Sequence, residues 1–135
     1  MNDRVFFDTN VLVYTIGEHD ARTPIAEALL GRGGLISVQV LNELASVARR
    51  TLKMPWPEVT EALGAIRLLC SSPIPITADL HDAALRLASQ YDFNIYDALI
   101  VAAALEADCA TLYTEDFQSG HVIDGRLTIR NPFHA

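Results

Sequence analysis

Val5-Phe6-Phe7-Asp8-Thr9-Asn10-Val11-Leu12-Val13-Tyr14 decides the fold class. Val5 to Asp8 is a short, bulky, apolar run closed by an acid, which reads as a strand. Helical spacing resumes from Asn10 to Thr15. The same alternation recurs downstream. Helical patterns cover about Arg22–Leu30, Val38–Leu52, Pro57–Leu69, Asp79–Tyr91 and Ile95–Ala107. Short apolar runs at Leu35–Ser37, Ile74–Thr77, Thr111–Tyr113 and Leu127–Arg130 read as strands, with Pro75 placing the second at an edge. Gly31, Gly33 and Gly34 break the chain, and Asn94 is placed to cap the helix after it. The expected class is α/β, a small, mostly parallel, doubly wound sheet with helices on both faces, in one domain over residues 1–135.

The composition bounds what such a domain can do. Lys and Arg number 10 and Asp and Glu 17, a formal charge of −7, and half of the 135 residues are hydrophobic. This excludes the low-hydrophobicity signature of disorder. The longest apolar run, Ala98–Leu105, is far shorter than the ~20 residues of a membrane span. The apolar run near the N-terminus is too short for a signal peptide. Cys70 and Cys109 form no CxxC pair and read as buried thiols. A cytoplasmic location is expected. Lys53 is the only lysine, which removes Schiff-base and Walker-type chemistry. The acidity argues against a protein that holds nucleic acid by positive field alone.

In open α/β sheets ligands bind outside the carboxyl ends of the strands. Four acids stand where that rule looks. Asp8 closes the first strand, Glu43 lies early on the helix after Leu35–Ser37, Asp97 lies in the first turn of the Ile95 helix, and Asp116 lies just past Tyr113. Each has a plainer reading. Asp8 can be a helix cap, Asp97 the acid partner of the Asn94 cap, Glu43 an ordinary helix residue and Asp116 a turn residue beside Glu115. Together they pose a problem, because carboxylates at close range raise one another's pKa unless a cation intervenes. No basic residue adjoins Asp8, Asp97 or Asp116 in sequence. A hard divalent cation with oxygen ligands, Mg2+ or Mn2+, fits this set. His19, His81, His121 and His134 lack zinc-site spacing. A carboxylate-held Mg2+ suits a phosphodiester substrate, since it reverses the local field. Arg49-Arg50-Lys53 is the expected basic contact to flanking backbone, or else a solvated helix end.

The motifs in order resemble one family. Phe6–Tyr14 looks like the opening motif of PIN domains, and of VapC-type toxins in particular. Leu41-Asn42-Glu43 resembles the second acidic motif, Tyr96-Asp97-Ala98 to Ala104 the third, and Leu112-Tyr113-Thr114-Glu115-Asp116-Phe117 the fourth. Asn131-Pro132-Phe133 is also similar to the endings of that group. The resemblance implies a single PIN-like domain and a Mg2+- or Mn2+-dependent endoribonuclease, the toxin of a toxin–antitoxin pair. It carries the catalytic roles onto Asp8, Glu43, Asp97 and Asp116, with Asp8 and Asp97 as first metal contacts. Thr9, Asn10 and Thr114 become supporting polar groups. It further implies an RNA substrate such as tRNA, a cognate antitoxin, a homodimer, and hydrolysis by metal-activated water.

Two other readings are open at this stage. A phosphatase on a similar fold needs a second acid where this chain has Asn10, and a working lysine. A non-catalytic PIN-like binding module would keep the fold while dispensing with one or more acids. The chain has no GxSxG or GxxxxGK[ST] motif for a serine hydrolase or a P-loop enzyme.

Overall fold

The structure, a computed structural model, describes residues 2–134. Strand β1 (Val5–Phe7) runs into helix α1 (Thr9–Leu12) and a 3-10 turn, Val13–Thr15. Helices α2 (Thr23–Gly31), α3 (Val38–Arg50), α4 (Trp56–Leu69), α5 (Ala78–Tyr91) and α6 (Ile95–Glu106) follow. The chain ends on β2 (Thr111–Tyr113), β3 (Val122–Ile123) and β4 (Leu127–Arg130).

The sheet order is β1-β2-β4-β3. β1, β2 and β4 are parallel, and β3 is antiparallel to β4. Phe6 and Phe7 point to opposite faces, as neighbours on a strand must, and both are fully buried. Both faces of the sheet are therefore covered, the condition under which parallel strands are stable. Each ring contributes roughly 1.5–3 kcal/mol by leaving water. The mostly parallel α/β layout is as the sequence predicts.

Two expected strands are reduced to single bridges. Leu35 bridges Phe6, and Ser37 bridges Ile74, both in parallel. The reason is local. Ser37 already caps α3 by accepting from Val40 N at 3.3 Å, and Pro73 and Pro75 have no N–H to extend a ladder. The segment still borders β1, with Leu35 N donating to Val5 O and Phe7 N to Leu35 O. This contact starts α3 beside the carboxyl end of β1.

The two-residue strand β3 is absent from the sequence reading. It belongs to a hairpin that turns through Asp124 and Gly125, both with left-handed φ (51° and 67°). Arg126 N closes the turn on Ile123 O at 2.9 Å. Asp124-Gly125, between the apolar pair Val122-Ile123 and the strand opening at Leu127, is the signal that marks it.

The longest apolar run is where the core is densest. All eight residues from Ala98 to Leu105 are buried, and α6 packs on α5, α3 and β2. Asn94 caps α6 and Thr77 caps α5, accepting from Leu80 N at 3.0 Å. No helix among the described residues is long and apolar enough to cross a membrane.

Candidate active site

The in-register pairing of Phe7 with Tyr113 brings the next residues, Asp8 and Thr114, side by side. The Thr114 hydroxyl donates to Asp8 Oδ2 at 2.8 Å, and Thr9 N donates to Oδ1 at 2.6 Å. Asp8 is thus a cap of α1, as the plainer reading has it, and also the floor of a hollow. That hollow, of about 430 Å3, is lined by Asp8, Thr9, Asn10, Tyr14, Glu43 and Asp116, with Val13, Ser46 and Val47.

The Thr114 hydroxyl has no capacity to spare. Besides its one donated bond it accepts from Asn10 Nδ2 at 3.2 Å and from Asp116 N at 3.0 Å. It ties three site residues to one buried oxygen. Asn10 reaches across with its other end, accepting from Glu115 N at 3.1 Å. Glu43 is held at both oxygens, by the Thr9 hydroxyl at 2.9 Å and by Gln39 Nε2 at 3.0 Å. Gln39 escaped the sequence reading. Its position one turn before Glu43 on α3 is the signal that finds it.

Asp97 stands at the N-terminus of α6 and is not in the lining of the hollow. Asn94 holds it in a reciprocal cap, accepting from its backbone N at 2.9 Å and donating to Oδ2 at 2.8 Å. It is electrostatically part of the group. Burial, then the charges of Asp116 and Glu43, push its carboxyl above the usual range. The same two acids act on Asp8, whose pKa is pushed up to about 7, mainly by burial. Hydrogen bonds from Thr114 and Thr9 oppose that rise. Asp116 and Glu43 therefore couple to both of the other acids.

No cation among the described residues pairs with these acids. The ion pairs among the described residues join Arg22 to Asp20 and Glu115, Arg86 to Asp124, and Arg126 to Asp108. None of them reaches Asp8, Glu43, Asp97 or Asp116. Among the described residues no three His, Cys, Asp or Glu side chains close into a ready-made metal cage. The donor set still fits a hard, strongly hydrated cation. It is all oxygen, it includes a buried carboxylate with no ion-pair partner among the described residues, and Mg2+ is ordinarily held by one or two carboxylates with water completing its shell.

The expected basic contact is divided, with Lys53 lining a neighbouring pocket that shares Val13 and Tyr14 with the hollow. Arg49 lies over the Trp56 ring at 5.3 Å and donates to Met54 O at 3.2 Å, which commits it to the α3–α4 corner. The arginine that meets a residue of the hollow is Arg22, which donates to the Tyr14 hydroxyl.

Comparison with known proteins agrees with the fold. VapC20 of Mycobacterium tuberculosis, a Sarcin-Ricin loop cleaving toxin, superposes with a TM-score of 0.67 at 24% identity, over 83% of this chain and 89% of that one. A toxin–antitoxin complex from Klebsiella pneumoniae gives a TM-score of 0.72 at 21% identity, over 97% and 99%. VapBC2 from Rickettsia felis, bound to a DNA fragment from their promoter, gives 0.62 at 22% identity, over 83% and 86%. At these identities the likeness is one of fold. No curated protein sequence matches the chain. The sequence matches the family model described as PIN domain over residues 5–122, a span that runs from β1 into β3 and holds all four acids. On that match the chain belongs to the PIN-domain family.

Proposed function

We propose that the protein is a divalent-metal-dependent endoribonuclease, the toxin of a toxin–antitoxin pair. The observation that carries this reading is the hollow at the carboxyl edge of the sheet, where Asp8, Glu43 and Asp116 meet without an ion-pair partner among the described residues. The PIN-domain match and the fold shared with toxins of such pairs support it.

In this reading Asp8 and Asp97 would hold Mg2+ or Mn2+, with Glu43 and Asp116 completing the set of acids. When bound, the ion would supply charge neutralisation at phosphorus and a more acidic water. Thr114 and Thr9 N hold Asp8 in one orientation. Thr9 and Gln39 aim Glu43, and Asn10 fixes the Glu115–Asp116 backbone. Asp116 is exposed, so it meets solvent at the mouth of the hollow. Retention of all four acids is the feature that favours catalysis over a binding-only module.

Incubation of purified protein with total RNA tests the reading. Cleavage is expected with Mg2+ or Mn2+, is lost on chelation, and is lost in Asp97→Asn without loss of folding. Mn2+ should also raise Tm, and Asp8→Asn should abolish that shift. Failure of RNA cleavage at all metal concentrations would sink the proposal.

The partner is an antitoxin, and the protein pairs with itself. A groove of about 590 Å3 between α2 and α4 has an apolar floor, including Leu30, Ile66 and Leu69, and an acidic rim of Glu27, Glu58 and Glu61. That surface suits a basic amphipathic segment, not a phosphate chain. Co-expression with the product of the neighbouring reading frame should give a complex that Leu69→Asp disrupts. Light scattering on the free protein tests the homodimer.

A further inference from the structure

One cluster at the rim of the hollow has no part in holding the four acids. Tyr14 lines the hollow beside Asp8, Glu43 and Asp116. Its hydroxyl donates to Glu115 Oε1 at 2.6 Å, and Phe133 stands edge-on to its ring at 5.1 Å. Arg22, at the start of α2, lays its guanidinium over the ring at 4.8 Å from the centroid. Its Nη1 donates to the Tyr14 hydroxyl and lies 3.4 Å from Glu115 Oε2. Its Nε is 3.8 Å from Asp20, a loose and exposed pairing. Nη2 takes no part in any hydrogen bond or ion pair among the described residues, and the side chain is 47% exposed.

An arginine stacked on an aromatic ring keeps its orientation and loses little freedom when it binds an anion. Its planar fork suits phosphate as well as carboxylate. The carboxylate now on Arg22 belongs to Glu115, the residue before Asp116. Arg22 is about half exposed and Glu115 a quarter exposed, at a long 3.4 Å, and a partly exposed pair of this kind contributes little to stability, so a phosphate can displace it.

We propose that Arg22 is a phosphate-binding residue for RNA: steadied on Tyr14, it takes a phosphate next to the one being cut, exchanging the Glu115 carboxylate for it. This rests on the ribonuclease reading above. It also gives an acidic protein a local cation at the mouth of the site, where the sequence had pointed to Arg49-Arg50-Lys53.

The exchange makes opposite demands on the two partners, which a structural clamp would not. The test is fluorescence anisotropy with a fluorescein-labelled RNA hairpin, Mg2+ present, in the Asp97→Asn background. Arg22→Gln should weaken binding about tenfold at low salt and make the log–log salt dependence shallower by about 0.7, one single-strand phosphate. Arg22→Lys should recover part of the affinity. Glu115→Gln should tighten binding a few-fold, because the competing carboxylate is gone. Arg67→Gln, beside a separate pocket on α4, should change nothing. If Arg22→Gln and Glu115→Gln both weaken binding, Arg22 is a clamp and the proposal is overturned. It is equally overturned if Arg22→Gln leaves affinity and salt slope unchanged, or if the hairpin does not bind. Cleavage by the wild-type protein is scored separately. Cleavage with Arg22-independent binding removes the phosphate role alone, and the expected binding pattern without cleavage removes the nuclease alone.

Discussion

Thr114 donates to Asp8 across 2.8 Å, although the two lie 106 positions apart in the chain. The bond exists because β1 and β2 are parallel and in register through Phe7 and Tyr113, so that both strands deliver their next residue to the same place. Thr114 is fully buried, and its hydroxyl serves Asp8, Asn10 and Asp116 at once. Thr114→Val keeps the shape and removes all three bonds. It is expected to lower stability by about 1–3 kcal/mol and to abolish cleavage, whereas Thr114→Ser retains most of both. Thermal unfolding and an RNA cleavage assay check this. A Thr114→Val protein with unchanged Tm and activity would show that the hydroxyl does not organise the site.

Asp8 gives the fold a pH dependence of unusual sign. Burial raises its pKa from 3.8 in the open chain to about 7 in the folded protein. Between those values the folded state binds the proton that the unfolded state has released, so stability falls as pH rises. A rise of about three units corresponds to roughly 4 kcal/mol, fully present below pH 4 and lost by about pH 7. Metal-free protein is therefore expected to show Asp8 lowering its Tm steadily from pH 4 to pH 7. Asp8→Asn should flatten that part of the profile, and Mn2+ should stabilise the wild type more at pH 8 than at pH 5. Equal slopes for wild type and variant would remove Asp8 as the source.

Gly31, Gly33 and Gly34 read in the sequence as one break, and the structure gives them different reasons. Gly33 has φ of 83°, which costs a side chain dearly. At Gly34 an added Cβ would stand 2.5 Å from Phe7 Cε2, on a ring that is fully buried and stacked on Tyr113. At Gly31 it would meet nothing within 4 Å. Gly34→Ala is expected to cost about 1–3 kcal/mol by crowding Phe7 next to Asp8. Gly31→Ala, at the end of α2, should be neutral or stabilising by up to about 1 kcal/mol. Denaturant midpoints of the two variants distinguish them, and a shared loss would mean that the loop backbone, not the Phe7 contact, sets the requirement.

The glycines illustrate what a sequence makes legible. Asp8 and Asn94 announce helix starts through local chemistry, and local chemistry is visible in order of residues, whereas Ser37 and Thr77, read as strand ends, prove to be caps. The buried α6 is equally plain, because eight apolar residues in a row have no solvent face. By contrast, Leu35–Ser37 and Ile74–Thr77 look like strands but make only single bridges, since ladder length depends on distant prolines and on where the next helix begins. The acids themselves were legible, while their differences were not. Nothing in the chain says that Asp8 is buried and Asp116 exposed, or that Asp97 stands outside the lining of the hollow while sharing its field. The resemblance names Thr114 as a supporting group, but its three bonds, and the grip of Gln39 on Glu43, depend on side-chain directions that the packed structure fixes.

Gln39 supplies the sharpest test of that aiming. Its Nε2 holds Glu43 Oε2 while Thr9 holds Oε1, so both oxygens of Glu43 have a fixed direction before any ion arrives. Groups that orient a metal-binding carboxylate typically contribute 10- to 100-fold in affinity. Gln39→Met preserves the length and apolar stem of a side chain that is 9% exposed, and removes only the donor. Glu43 then swings freely about its remaining bond to Thr9. Mn2+ affinity measured by calorimetry is expected to fall by at least about tenfold, with Tm of the metal-free protein nearly unchanged, because Glu43 can turn its freed oxygen to water. Unchanged Mn2+ affinity in this variant would mean that Glu43 lies outside the metal set, and would leave Asp8, Asp97 and Asp116 to hold the ion without it.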